Sequence, residues 1–190
     1  MLMTKERRTK MDEGRRWYAL AVKPQHEAKA YQGLSSLGGI EGFHPTYKDK
    51  RNWSDRVKIL DSPLFPGYVF GRFQYPSERV PVLRVPGVRS IVGFGDAPST
   101  IAEEEIDMIR TVVNSVFPVR PWPFLRAGQR VRIEHGPLRG VEGIILQQKD
   151  EWQMVVSVEL LQRSISVLVD RSVLKGVSSP RRGLPLAATS

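Results

Sequence analysis

The sequence predicts an α+β chain of two domains: a split βαβ, ferredoxin-like sheet covered by helices, then a linker, then a small SH3-like β-barrel. Three observations predict it. Up to residue 113, strand and helix signals follow in the order strand, helix, strand, strand, helix, strand, with a further helix, which is the order of a split βαβ sheet. Pro118, Pro121 and Pro123 then stiffen residues 114–126. Beyond them, period-two alternation broken by glycines runs for about 50 residues, room for four or five short strands but too little for two full sheets. The expected division is a disordered basic arm at 1–16, an N-terminal domain at 17–113, a linker at 114–126, a barrel at 127–176 and a disordered tail at 177–190.

Trp17 to Val22 is a short apolar, aromatic-rich run that suits a strand, and Pro24 stops it. From Gln25 to Leu37 the residues Ala28, Tyr31, Leu34 and Leu37 recur every third position as one helical stripe, closed by Gly38-Gly39. Residues 42–47 and 56–60 flank a basic loop in a hairpin, with Val57 and Ile59 alternating with Arg56 and Lys58. Leu64 to Phe73 reads as a strand entered through the Pro66-Gly67 turn. A short helix follows Ser77, with Pro81 disturbing its hydrogen bonding. Val88 to Phe94 is a strand between Pro86-Gly87 and Gly95-Asp96. Thr100 and Glu103 have the spacing of a capping box, and Ile106, Ile109 and Val113 follow as a helix face. In the second domain Val131 and Ile133 alternate with Arg130 and Arg132, and Trp152 to Leu161 and Ser164 to Val169 continue the alternation. Gly136, Gly140 and Gly143 punctuate the strands and are structural.

The 190 residues carry 29 basic against 20 acidic side chains, a net charge of +9 that invites a nucleic-acid reading. Position narrows it. The arm has six basic residues against three acidic ones, and the stretch from Lys175 on has three basic residues and no acid, so six of the nine excess charges lie at the ends. Residues 17–113 hold twelve basic and eleven acidic side chains, and residues 114–174 hold eight and six. Lys48, Lys50, Arg51, Arg56 and Lys58 form the one internal basic cluster, read first as a solvated loop tip.

Cysteine is absent, which excludes disulfides, thiolate metal sites and a cysteine nucleophile. A reducing, cytoplasmic setting is expected, and no run of apolar residues approaches a membrane span. His26, His44 and His135 are too scattered for a metal motif. Glu103, Glu104, Glu105 and Asp107 lie at a helix start, where the macrodipole favours negative charge. With no Walker-type phosphate loop and no nucleophile elbow, an enzyme is not expected, nor a cofactor or metal.

Two segments carry a family resemblance. One is Trp17-Tyr18 followed by Pro63-Leu64-Phe65-Pro66-Gly67-Tyr68-Val69-Phe70 and Val85-Pro86-Gly87-Val88; the other runs from Val131 through His135-Gly136-Pro137 to Gly143-Ile144-Ile145. In this order, over about residues 17–176, they resemble the NusG family of transcription elongation factors, the first its N-terminal domain and the second its KOW motif. The wording of the first leans towards the specialised RfaH-like paralogues. The resemblance implies a monomeric, non-enzymatic factor that binds RNA polymerase at the β′ clamp helices and favours processive elongation. It places the docking surface on Leu64, Phe65, Pro66, Tyr68 and Phe70, with Phe65 and Tyr68 expected to face outward. Arg79 to Leu83 matches the stretch that approaches the opposite side of the polymerase cleft, without the polar motif of some specialised members. Lys23 and Lys29 match basic positions facing the non-template DNA strand. The barrel would recruit ribosomal protein S10 or the termination factor Rho, with Leu161 at the family's aromatic contact position. Some RfaH-like members refold this domain as a helical hairpin; the β-favouring residues from Trp152 to Val169 predict strands here. The rival reading, a KOW-containing RNA- or ribosome-binding module, requires a strongly basic barrel.

Overall fold

A computed structural model describes residues 14–52, 57–95, 97–125, 129–148, 151–169 and 177–178. Most of the arm and tail expected to be disordered lies outside the described residues. The chain divides into two compact units, Met1–Asp107 and Met108–Ser190.

The first unit holds β1 (Arg16–Val22), α1 (Glu27–Ser36), β2 (Glu41–Phe43), β3 (Thr46–Asn52), β4 (Val57–Pro63), β5 (Tyr68–Phe73), α2 (Arg79–Leu83), β6 (Val88–Ile91), β7 (Gly93–Phe94), β8 (Ala97–Pro98) and β9 (Thr100–Ile101). Its sheet runs β2-β5-β1-β6 with every pair antiparallel, and β9 also pairs with β1. Leaving out the β3–β4 ribbon, a separate two-stranded sheet, this is the strand order of the predicted split βαβ fold.

Alternation along β1 divides the core. Tyr18, Leu20 and Val22 point to one face and pack with Val69 and Phe73 against Ala30 and Leu34 of α1 and Val82 of α2. Trp17 and Ala19 point to the other face with Phe70 and are equally buried. The stripe of α1 differs from the expected one: Glu27, Ala30 and Leu34 are buried, whereas Ala28 is exposed and Tyr31 is 38% exposed. Three residues turn a helix through about 300°, so a strict three-residue repeat drifts off the core, and the i, i+3, i+7 set faces it.

Helix α3 (Glu103–Val113) buries Ile106, Ile109 and Val112, with Val113 only half buried. Thr100 is not its cap. Thr100 and Ile101 pair with Tyr18 and Trp17, and the first turn closes on the Ala102 carbonyl, which accepts from Glu105 at 3.1 Å and Ile106 at 3.4 Å.

The second unit contains β10 (Val119–Trp122), β11 (Gln129–Ile133), β12 (Glu142–Gln148), β13 (Glu151–Val158), a 3₁₀ turn at Glu159–Leu161, β14 (Arg163–Val169) and β15 (Val177–Ser178), in the order β10-β14-β13-β12-β11-β15. This is the expected β-barrel-like domain. The expected linker is corrected by β10, which pairs antiparallel with β14 from Val119↔Val167 to Trp122↔Ser164. Pro121 is tolerated because, among the described residues, β10 ends the sheet and has one neighbour. Likewise β15 takes the first two residues of the expected tail, and β1 takes Arg16 from the expected arm.

Candidate functional site

The motif residues 64–70 lie where β4 crosses into β5. Phe65, Pro66, Gly67 and Tyr68 make a tight turn closed by the Tyr68 N–H donating to the Phe65 carbonyl at 3.1 Å. Proline in the second position and Gly67 at φ +84° in the third are the residues a type II turn requires. The turn is held from two sides: the Gly67 carbonyl accepts from Val22 N–H at 2.8 Å, and the Gly67 N–H donates to Glu27 Oε1 at 2.9 Å. Glu27 is only 6% exposed, so this bond satisfies a carboxylate that burial would otherwise penalise.

Leu64 and Phe65 are each 1% exposed and Phe70 is fully buried, which corrects the expectation that Phe65 faces outward. Phe65 stands edge-on to Phe70 at 5.5 Å; Phe70 lies 6.0 Å from Phe43, and Phe43 lies 6.5 Å from Trp17. The Phe65–Phe70 and Phe43–Trp17 contacts are edge-to-face and add to the apolar burial of each ring. Of the five motif residues, Pro66 is exposed and Tyr68 half buried. The surface offered is therefore the turn itself, on an aromatic floor.

A second Pro-Gly turn meets β1 at the same end. The Lys23 N–H donates to the Gly87 carbonyl at 2.8 Å, where Gly87 has φ +99°, and a Cβ added to Gly87 would lie 3.0 Å from the His26 Cβ. Lys23 is exposed beside this turn, and Lys29 is exposed on α1. His44 lies half buried near Tyr31, with ring centroids 6.1 Å apart, and its Nε2 has no hydrogen-bond partner among the described residues. Burial lowers the His44 pKa below its usual value, and the Glu27 charge opposes that shift in part.

In the barrel, Gly136 at φ +82° and Gly140 at φ +86° adopt backbone conformations that favour glycine. Gly143 serves differently: a Cβ there would come within 2.6 Å of the Val155 carbonyl across the β12–β13 pair. Leu161 is corrected from contact residue to core, at 5% exposure in the 3₁₀ turn. No group of three or more His, Asp or Glu able to hold a metal occurs among the described residues. Among the same residues no helix is long and apolar enough to cross a membrane.

Sequence reasoning missed Glu27. Its signal was available, since it shares the i, i+3, i+7 positions with Ala30 and Leu34, where an acidic side chain needs a buried partner.

Comparison with known proteins agrees with this construction. The family described as "Transcription termination factor nusG" matches residues 15–110. The NusG transcription termination/antitermination protein of Borreliella burgdorferi is 26% identical over 175 residues, covering 82% of this chain and 95% of that protein. Its counterpart in Buchnera aphidicola is 24% identical, covering 85% and 96% respectively. A solved structure of Thermotoga maritima NusG superimposes with a TM-score of 0.51 at 20% identity, covering 90% of this chain and 99% of that one. The family match over residues 15–110 and these relatives place the chain among transcription termination/antitermination factors. The chain belongs to the NusG family.

Proposed function

We propose that the first unit docks on the β′ clamp helices of RNA polymerase through the turn Pro66-Gly67-Tyr68, and that the protein thereby favours processive elongation. The observation that carries this reading is the clamped turn. Glu27 and Val22 hold Gly67 from two sides, so Pro66 and Tyr68 are presented by fixed backbone rather than by a loop that must be ordered on binding. Tyrosine joins a large apolar contact area to a polar tip at low entropic cost, which is why it recurs among interface hot spots. Leu64, Phe65 and Phe70 support the surface from beneath. Lys23 and Lys29, both exposed, contact the non-template strand, and the barrel recruits a second protein, ribosomal protein S10 or Rho, through residues other than the buried Leu161.

Co-purification with core RNA polymerase tests the docking assignment. The wild type is expected to be retained, and Tyr68→Ala to lose retention while keeping its unfolding midpoint. Phe65→Ala is expected to lose about 3–5 kcal/mol of stability, as large core truncations do. A wild type that does not bind polymerase, or a Tyr68→Ala protein that binds as well as the wild type, overturns the reading.

A further inference from the structure

Three exposed apolar side chains lie within four residues of β4: Val57 is 63%, Ile59 59% and Leu60 38% exposed. Every residue from Val57 to Asp61 is exposed. β4 pairs antiparallel with β3 from Asn52↔Val57 to Thr46↔Pro63 and has no second neighbour among the described residues, so its outer edge presents backbone donors and acceptors that β3 does not use. A two-stranded ribbon is marginal by itself in water, and a third strand that covers apolar side chains is what stabilises such a pair.

The register decides what shape of partner can cover these side chains. Val57 and Ile59 stand opposite Asn52 and Lys50 and share a face with them, whereas Leu60 stands opposite Asp49 and points, with Lys58, to the other face. From Lys48 to Asn52, β3 contributes polar residues only. A partner laid flat on the ribbon would cover one face and leave the other in water. A strand added to the outer edge of β4 lies beside all three apolar residues, because cross-strand neighbours meet on both faces of a sheet. Charge narrows the partner further. Residues 46–63 hold five basic and three acidic side chains. Two of the acids are engaged within the ribbon: Asp61 lies 2.7 Å from Lys48, and Asp49 accepts from the Ser62 hydroxyl at 3.4 Å. The excess is cationic, with Lys50 and Lys58 both exposed, and calls for carboxylates. A nucleic-acid duplex would supply negative charge but leave Val57, Ile59 and Leu60 without apolar cover. The chain's own ends fit poorly: the stretch from Lys175 on has three basic residues and no acid, and the arm has six basic against three acidic.

We propose that the outer edge of β4 receives an extended acidic segment of a partner protein as a third strand, with its apolar residues beside Val57 and Ile59 and its carboxylates beside Lys58. The site is on the ribbon, apart from the Pro66-Gly67-Tyr68 turn, and its occupancy does not depend on polymerase.

The test uses the full chain and a fluorescein-labelled, capped eight-residue peptide alternating Glu with Val, read by fluorescence polarisation. Saturable binding is expected for the wild type, weakened about tenfold by Ile59→Thr, which keeps a β-branched residue in the strand, and lost with Val57→Thr/Ile59→Thr. Val116→Thr changes an 86% exposed valine of the second unit and is expected to leave binding unchanged. A peptide alternating Lys with Val is expected not to bind. Two versions of the acidic peptide, each N-methylated at alternate amides, separate strand addition from general stickiness: only the amides that face β4 donate to it, so one version is expected to lose binding and the other to keep it. The proposal is overturned if the acidic peptide does not bind, if the paired threonine variant binds it as well as the wild type, or if the two N-methylated peptides bind alike. It is overturned too if the wild type sediments as a dimer that the paired threonine change dissociates, which would seat a second copy on β4, or if a short DNA duplex displaces the peptide.

Discussion

A buried carboxylate beside a half-buried imidazole makes Glu27 and His44 a point at which pH reaches the Pro66-Gly67 turn. Glu27 holds the Gly67 amide, and its charge favours the imidazolium form of His44, but desolvation of His44 is the larger effect and lowers its pKa. The sign follows from proton counting. With the folded-state value below the unfolded value of 6.5, the unfolded chain binds more protons between the two. His44 therefore contributes stability that is present above pH 6.5 and is lost as pH falls from there through the folded-state value. Urea midpoints measured between about pH 8 and pH 5 are expected to fall for the wild type and to fall less for His44→Gln; parallel curves would refute the assignment. The residue scale also shows how far the site was legible. Leu64 to Phe70 could be picked out as a motif and its turn read from Pro66-Gly67, because those residues have few backbone alternatives. That Phe65 and Phe70 lie inward could not be read, because period-two alternation assigns residues to faces without saying whether the second face is covered. Trp17, Phe43, Phe65 and Phe70 cover it together.

At the scale of elements, close backbone approach decides what the barrel tolerates. β12 and β13 pair from Ile144↔Val155 to Gln148↔Glu151, and Gly143 sits just before this run, with the Val155 carbonyl 2.6 Å from where a Cβ would be. Backbone cannot yield as a flexible side-chain end can, so Gly143→Ala must push the strands apart. A cost of about 1–3 kcal/mol is expected, the range for overpacking a well-fitted interior, read as a lower denaturant midpoint with unchanged slope. Gly136→Ala has open space around its Cβ and meets only the strain of φ +82°, so it is expected to cost less. The reverse ranking would show that strand separation at Gly143 is not limiting. Elements with strong local signals were legible: β1 before Pro24, β11 with its inward Val131 and Ile133, and the β13–β14 alternation. Those settled by tertiary pairing were not. Pro118, Pro121 and Pro123 read as linker because proline opposes strands locally, while the pairing of β10 with β14 overrode that preference. Thr100 read as a helix cap, although pairing with Tyr18 claims its backbone.

For the whole molecule, the net charge of +9 raises the question of how much of its binding is electrostatic. Residues 17–113 differ by only one between basic and acidic side chains, so a contact made by the first unit through Pro66 and Tyr68 is chiefly apolar and should respond weakly to salt. Nucleic-acid contact behaves otherwise, because each phosphate neutralised releases condensed counterions and lowers affinity as salt rises. The two contributions can be separated on one assembled elongation complex that exposes its non-template strand. Wild-type affinity plotted against salt on logarithmic axes should slope downward, and Lys23→Ser/Lys29→Ser should flatten the line by about 1.4, or about 0.7 for each phosphate contact to a single strand. Tyr68→Ala should lower the whole line and leave its slope unchanged, since it removes apolar area and no charge. A paired lysine variant whose slope matches the wild type would remove Lys23 and Lys29 from the DNA contact and shift the salt dependence to the basic ends; a chain limited to residues 14–178, which keeps Arg15, Arg16 and Lys175 of the nine basic residues there, would then show a flatter line.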